Sequence, residues 1–217
     1  IVWLAGIAII AGSVLALAQT ELKRMFCYLI VAEVGYMVGG MWLGNETGMT
    51  GTVYHIISDA LMTLCLFLAA GLIWRKTKSH AISSLDGLTK KMPLTLAGLI
   101  AGAFAMIGIP PTCGFFSKWY LIRGGIESGH WEYVVALLVS SLINAILFFR
   151  IIEVAYFGKK PAEGHGHHDD HGETKTKWTE SPPIAIVALW STAILLVVLG
   201  IFNSQVVKTV SYTHLTL

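Results

Sequence analysis

Charged residues are scarce in this sequence. Only 13% of its 217 residues are Asp, Glu, Lys or Arg, whereas soluble domains carry about 25%. The mean hydropathy is +0.68, and the apolar residues fall in runs long enough for helices to cross a bilayer. These features exclude a soluble globular domain. They predict an integral membrane protein with an all-α fold, a polytopic bundle of transmembrane helices.

Three further absences narrow the function. The net charge is only +2 and no basic stripe is interleaved with aromatic residues, so we expect no nucleic-acid partner. Cys27, Cys65 and Cys113 show no paired spacing, so we expect small buried side chains rather than a disulfide or metal framework. No dinucleotide-binding motif, haem pattern or cluster-binding cysteine set is present. We therefore expect no cofactor and no redox chemistry in the chain itself.

Long apolar runs predict six or seven membrane spans. By residue number the runs are 1–19, 25–43, 52–74, 93–109, 115–124, 131–157 and 184–202. Pro110 and Pro111 follow the fourth run, and proline breaks or kinks a helix because it lacks a backbone N–H group. The count is six if the fourth and fifth runs form one broken helix, and seven if they form two spans.

Residues 1–210 are predicted to form one transmembrane domain, which includes a polar loop at 159–183. We favour a solvated loop over a metal site. The His-rich composition of the loop also leaves open that the protein is a metal transporter. Four histidines of the loop are weak candidates for metal ligands: His165, His167, His168 and His171. Residues 211–217 depart from the pattern, and a native tail and a non-native addition fit them equally. Because the chain begins with Ile1 rather than Met, we interpret it as a fragment that lacks its N-terminal part.

Basic residues cluster in one link between spans. Residues 44–51 contain no Lys or Arg, whereas five basic residues lie between the third and fourth runs: Arg75, Lys76, Lys78, Lys90 and Lys91. The positive-inside rule places this basic link in the cytoplasm and residues 44–51 outside. A count of seven spans conflicts with that assignment further along the chain, so the sequence leaves the orientation open.

Ionisable residues within the apolar runs carry most of the functional information. Such residues are costly in a bilayer and usually face the bundle interior or a water-filled path. For Glu33, in the middle of a run, we favour a proton-relay acid over a neutral carboxyl group that only hydrogen-bonds to a neighbouring helix. His55 and Asp59 are four residues apart and share one face of a helix. This spacing favours a titratable pair over a lone structural histidine.

The segment from Gly108 to Lys118, GIPPTCGFFSK, is the most specific in the chain. A proline break frees backbone carbonyl groups, which is tolerated in a membrane only where the backbone is buried in protein or lines a cavity. Broken helices of this kind mark ion sites in transporters. We therefore favour a Lys118 that loads and releases a proton over one that snorkels to the interface as an anchor.

These segments together resemble the antiporter-like subunits of respiratory complex I and of Mrp-type multi-subunit cation/proton antiporters. Residues 19–24 (QTELKR), followed by Cys27 and Tyr28, are similar to the Gln-x-Asp-Leu-Lys-Arg…Ala-Tyr-Ser segment of that family. The segment that ends at Lys118 is close to the broken-helix motif that carries the family's essential lysine, and His55 falls on a family histidine. The resemblance covers nearly the whole chain and corresponds to the family's C-terminal half.

Three departures from the family pattern concern the same region. Glu33 replaces a residue that is usually Gln or His, Asp59 stands where a His is common, and Thr63 stands where a central Lys is common. The polar axis of the family is therefore either rerouted through acids in this chain or partly lost.

The resemblance implies a proton-translocating subunit of a hetero-oligomeric complex in a bacterial plasma (inner) membrane. We favour the D-type component of an Mrp-type Na⁺/H⁺ antiporter, whose partners are other membrane subunits, the lipid bilayer, protons and Na⁺. The alternatives are a proton-pumping subunit of NADH:quinone oxidoreductase (complex I) or a related hydrogenase, and a non-transporting scaffold. Whether the chain belongs to an enzyme complex stays open. The residues we expect on the ion pathway are Lys23, Glu33, His55, Asp59 and Lys118.

Overall fold

A computed structural model describes residues 1–158 and 180–214. Its helices are α1 (Val2–Leu17), α2 (Leu22–Met41), α3 (Glu46–Thr77), α4 (Leu88–Lys91), α5 (Pro93–Ile107), α6 (Cys113–Glu127), α7 (Trp131–Phe157), α8 (Pro183–Ile201) and α9 (Asn203–His214), with a 3₁₀ turn at Ile82–Leu85. The predicted all-α bundle is confirmed. Helix α9 continues past residue 210, into the segment that the sequence separated as a tail.

The bundle has the apolar exterior of a protein that lies in lipid. Helices α2, α3, α7 and α8 are long and apolar enough to cross a membrane, and α1 and α5 are shorter apolar helices. Large apolar side chains such as Leu142 and Phe149 point outward. Cys65 and Cys113 are buried as predicted, but the prediction for Cys27 is wrong. Because Met25 and Phe26 face the core of the bundle, the helical period turns Cys27 outward.

The helix break lies between α5 and α6. Helix α5 ends at Gly108, whose φ of 93° is in the left-handed region that suits glycine, and the Pro110–Pro111 peptide is cis. Helices α5 and α6 make few contacts with each other, whereas α1 and α2 pack closely. At the far end of α6, the Gly124 carbonyl accepts a hydrogen bond of 2.7 Å from Asn45 Nδ2, in the link between α2 and α3. Together α5 and α6 therefore cross the bundle once, which favours six crossings.

The links between helices separate onto two faces of the bundle. Residues 18–21 and 78–92 lie on the same face, where Glu21 and Ala81 form an isolated β-bridge and Ile82 N donates to Thr20 O at 2.9 Å. We call this side the basic face, because most Lys and Arg residues of the described helix ends and links lie on it: Lys23, Arg24, Arg75, Lys76, Lys78, Lys90 and Lys91. With six crossings, the conflict that seven spans created for the orientation disappears.

Candidate functional site

Lys118 reaches back across the helix break. Its side chain is buried, with the residue only 4% exposed, and its Nζ donates a hydrogen bond of 2.7 Å to the carbonyl oxygen of Met106, in the last turn of α5. In an uninterrupted helix this carbonyl would accept from the residue four positions later, which is Pro110 and has no N–H group. The break therefore creates a buried acceptor, and the Lys118 ammonium group satisfies it.

Glu33 lies between Lys118 and His55. Its Oε1 is 3.7 Å from Lys118 Nζ, and its Oε2 is 3.0 Å from His55 Nε2. The Glu33–His55 contact is close but not aligned as a hydrogen bond, and neither atom has a hydrogen-bond partner elsewhere among the described residues. Glu33 and His55 are completely buried. Three helices, α2, α3 and α6, thus bring an acid, an imidazole and an amine together. We call these three residues the buried cluster.

Ser117 orients the imidazole of His55. Its Oγ lies 2.9 Å from His55 Nδ1 and 3.1 Å from the Gly114 carbonyl oxygen, to which it donates. When the hydroxyl donates to the Gly114 carbonyl oxygen, the serine oxygen accepts a hydrogen bond from Nδ1–H of His55. The other ring nitrogen, Nε2, then faces Glu33 with either a lone pair or a proton. If the hydroxyl donates to Nδ1 instead, a neutral histidine presents Nε2–H to the carboxylate. In either case the contact between Glu33 and His55 has a place for a proton.

Tyr36 forms one wall of the buried cluster. The centre of its ring is 5.1 Å from Lys118 Nζ, in a cation–π contact, and 5.5 Å from the His55 ring. The phenol donates a hydrogen bond of 2.7 Å to Ser140 Oγ on α7, and Ser140 also contacts Ser13 on α1. Tyr36 is one turn from Glu33, so helical spacing from Glu33 is the sequence signal that could have found it.

Asn144 on α7 closes the buried cluster from another side. Its Nδ2 is 3.5 Å from Glu33 Oε1, a long hydrogen bond. Its Oδ1 is buried and has no hydrogen-bond partner among residues 1–158 and 180–214. The amide therefore offers the Glu33 carboxyl group a donor and retains an unused acceptor beside it.

Asp59 lies next to the buried cluster without an ion pair to it. It sits one turn from His55 on α3 and is 8% exposed, and its Oδ1 accepts a hydrogen bond of 3.3 Å from the Thr63 hydroxyl. Thr63 stands where the resemblance implies a central Lys, and in the structure this residue is an uncharged partner of Asp59. The expected pairing of His55 with Asp59 gives way to pairing of His55 with Glu33.

The structure does not bring Lys23 to the buried cluster. This residue is exposed in the first turn of α2, on the basic face, because the helix begins at the surface and only reaches the bundle interior further along. The loop histidines His165, His167, His168 and His171 lie outside the described residues. Within the described part of the chain, no group of three His, Cys, Asp or Glu residues is arranged to hold a metal ion.

A family model covers most of the chain, including the three residues of the buried cluster. The model describes the NADH:quinone oxidoreductase/Mrp antiporter transmembrane region and matches residues 1–144. The chain belongs to this family. The resemblance that the sequence motifs indicated is therefore confirmed, and so is the placement in a membrane.

Two curated relatives illustrate the similarity. Subunit N of the NADH-quinone oxidoreductase of Desulforudis audaxviator is 42% identical over 209 residues, which are 96% of this chain and 42% of the relative. Subunit 2 of the NAD(P)H-quinone oxidoreductase of a Nostoc species is 34% identical over 160 residues, 74% of this chain and 31% of that relative. The chain thus spans less than half the length of these relatives.

Solved structures of three membrane complexes contain a similar fold. A chain of the archaeal membrane-bound sulfane sulfur reductase matches with a TM-score of 0.83 and 26% identity, over 97% of this chain and 41% of its own length. The Mrp complex of Dietzia sp. gives a TM-score of 0.82 at 19% identity, over 97% of this chain and 46% of that one. Complex I of Thermus thermophilus gives 0.67 at 23% identity, over 95% and 44%. The last two matches show a shared fold.

Proposed function

We propose that this chain moves protons across the membrane as part of a larger membrane subunit, with Lys118, Glu33 and His55 as the groups that exchange them. The observation that carries the proposal is the buried cluster itself. An imidazole and an amine each lie within ion-pair distance of the same acid in a part of the bundle where ionisable groups are costly. Such groups are usually retained in membranes for transport.

The charges of the buried cluster support a relay. With Lys118 protonated, Glu33 ionised and His55 neutral, the buried cluster carries no net charge. Adding a proton to His55, or removing one from Lys118, leaves an uncompensated buried charge, which is strongly unfavourable. Binding of a proton at His55 therefore favours release of a proton from Lys118. Asp59 provides a further acid one turn from His55 on the inward face of α3.

The complex we favour is a quinone oxidoreductase of the complex I type. The curated relatives at 42% and 34% identity are subunits of NADH- and NAD(P)H-quinone oxidoreductases, and this supports that assignment over the D-type Mrp component favoured by the sequence motifs. The Mrp antiporter stays the second candidate, because the fold of a chain in an Mrp complex matches nearly this whole chain. In either assembly the partners are other membrane subunits.

The two assemblies differ in what drives proton movement. If the chain belongs to a quinone oxidoreductase, vesicles that contain the purified complex acidify when NADH and a quinone are added, without any need for Na⁺. If it belongs to an antiporter, an imposed Na⁺ gradient drives proton movement and NADH has no effect. A complex that keeps its full proton movement when Lys118 is replaced by Ala leaves the non-transporting scaffold as the function of this chain.

Lys118 variants test the relay. Lys118→Ala removes the proton-binding group but retains helix propensity, and Lys118→Arg keeps a positive charge that is not released at accessible pH. With the complete complex in vesicles, we expect proton movement to fall to near background in both variants at near-normal protein levels. Full activity of the Arg variant would mean that a fixed charge suffices. Full activity of both variants would contradict the relay.

A further inference from the structure

A second polar site lies on the basic face, away from the buried cluster. A pocket of about 600 Å³ opens beside the first two turns of α2, and the residues that line it include Glu21, Lys23, Arg24, Cys27, Tyr28 and His80. Its walls come from the link between α1 and α2, from the start of α2, and from the link that precedes α4. These two segments are joined by the hydrogen bond from Leu22 N to His80 O, at 2.8 Å. The pocket is thus a structured cleft between two parts of the chain.

The pocket has more positive than negative charge. Arg24 Nε is 3.0 Å from Glu21 Oε2, which leaves other N–H groups of the guanidinium free to donate. Lys23 has no ion-pair partner among residues 1–158 and 180–214. One carboxylate therefore faces two permanent cations, and the surplus charge is on an exposed lysine.

The rim of the pocket has the composition of a membrane interface. His80 stacks on Trp74, with ring centres 5.6 Å apart, and Lys78 Nζ lies 5.3 Å from the centre of the same Trp74 ring. Tryptophan and tyrosine are enriched at the level of lipid headgroups. Cys27, one turn further along α2 than Lys23, is exposed, so the pocket continues toward the lipid-facing surface of α2.

We propose that this pocket binds the phosphate-bearing headgroup of an anionic phospholipid, with Lys23 and Arg24 as its cationic contacts. Basic pockets at the ends of transmembrane helices have the chemistry that such headgroups require. The positive-inside rule by itself explains basic residues on this face, but it requires no cleft and no unpaired lysine within one. The proposal also gives a role to Lys23, which lies away from the buried cluster.

Cys27 provides a reporter within the pocket. The complete complex is placed in vesicles of phosphatidylcholine alone or mixed with phosphatidylglycerol, and the rate of Cys27 alkylation by N-ethylmaleimide is followed by peptide mass. N-ethylmaleimide is uncharged, so the surface charge of the vesicle does not change its local concentration. We expect phosphatidylglycerol to slow the reaction several-fold in the wild type, and less so at high salt, since salt screens exposed charges.

Variants and a soluble anion decide the interpretation. Lys23→Gln with Arg24→Gln is expected to abolish the protection, whereas Arg123→Gln, at the other end of the bundle, is expected to retain it. Equal protection in the double variant, or no protection in the wild type, would overturn the proposal. Protection by inorganic phosphate in phosphatidylcholine vesicles would identify a soluble-anion site instead. A Cys27 that does not react in phosphatidylcholine is covered by protein, which also overturns it.

Discussion

Glu33 is the carboxylate that Lys118 and His55 share. The two groups contact different oxygens of it, at 3.7 Å and 3.0 Å, so a change at Glu33 acts on both. The resemblance implies Gln or His at this position, and this chain has an acid there instead. The structure shows what the acid contacts: it is the counter-charge of the lysine at the helix break.

Glu33→Gln is therefore expected to impair transport although it preserves the shape of the side chain. It removes the proton-binding oxygen and leaves the Lys118 ammonium without a counter-charge. Loss of a positioned acid or base typically costs on the order of 10²-fold or more in rate, and we expect proton movement in vesicles to fall by about that factor. Glu127→Gln is the matched control, because Glu127 pairs with Arg123 at the surface. Equal activity of the two variants would contradict the role of Glu33.

The helix break depends on close backbone packing at two glycines. A Cβ atom on Gly114, in the first turn of α6, would lie 1.9 Å from the Ala105 carbonyl oxygen, and one on Gly200 of α8 would lie 1.9 Å from the Pro111 carbonyl oxygen. Backbone atoms cannot rotate away as a flexible side chain can. Helices α5 and α6, and α8 beside them, thus approach each other so closely at these two positions that only glycine fits. This packing is what keeps the Met106 carbonyl within reach of Lys118.

Gly114→Ala is expected to separate α5 from α6 and to destabilise the bundle. Overpacking typically costs about 1–3 kcal/mol, so we expect a lower thermal midpoint of the purified complex together with loss of proton movement. Gly71→Ala is the control, because that glycine is also helical but a Cβ on it meets nothing within 4 Å. Since alanine favours a helix over glycine by up to about 1 kcal/mol, the control should be as stable as the wild type or more so. A normal midpoint for Gly114→Ala would show that the two helices can move apart freely.

A count of six crossings predicts one orientation for the described helices. The links at residues 18–21 and 78–92 lie on the basic face, and the links at 42–45 and 128–130 lie on the other. The positive-inside rule then places the basic face in the cytoplasm, as it placed the link between the third and fourth apolar runs. The alternation holds through α8 because α5 and α6 together count as one crossing.

The orientation is tested by two cysteine variants in a background without Cys27. In right-side-out vesicles, a membrane-impermeant maleimide is expected to label Glu127→Cys but not Lys78→Cys. In inverted vesicles the pattern is expected to be the reverse. If both cysteines are labelled from the same side, α5 and α6 do not make a single crossing, and the count of six is wrong.

The class of the protein, a helical membrane bundle, could be predicted from the sequence because a bilayer requires an apolar amino-acid composition in the segments that cross it. Long uncharged runs have no other stable environment, and the pair Pro110 and Pro111 removes two backbone donors whatever the surrounding fold. The broken helix and the all-α bundle are therefore properties of the residues themselves. That Glu33, His55 and Lys118 have buried polar partners could be inferred for the same reason, since an ionisable residue deep in an apolar run needs a partner.

The partners themselves were decided only by the tertiary structure. The helices are apolar on nearly every side, because lipid and protein interior both accept apolar side chains, so the sequence contains little information about which face turns inward. The outward position of Cys27, the pairing of Glu33 with His55 in place of Asp59, and the distance of Lys23 from the buried cluster all follow from helix rotation and packing. Asn144 reaches Glu33 across 111 positions of the chain, and Lys118 meets the Met106 carbonyl because the first turn of α6 lies against the last turns of α5. Such long-range contacts depend on how whole helices pack, and no local sequence pattern specifies that packing.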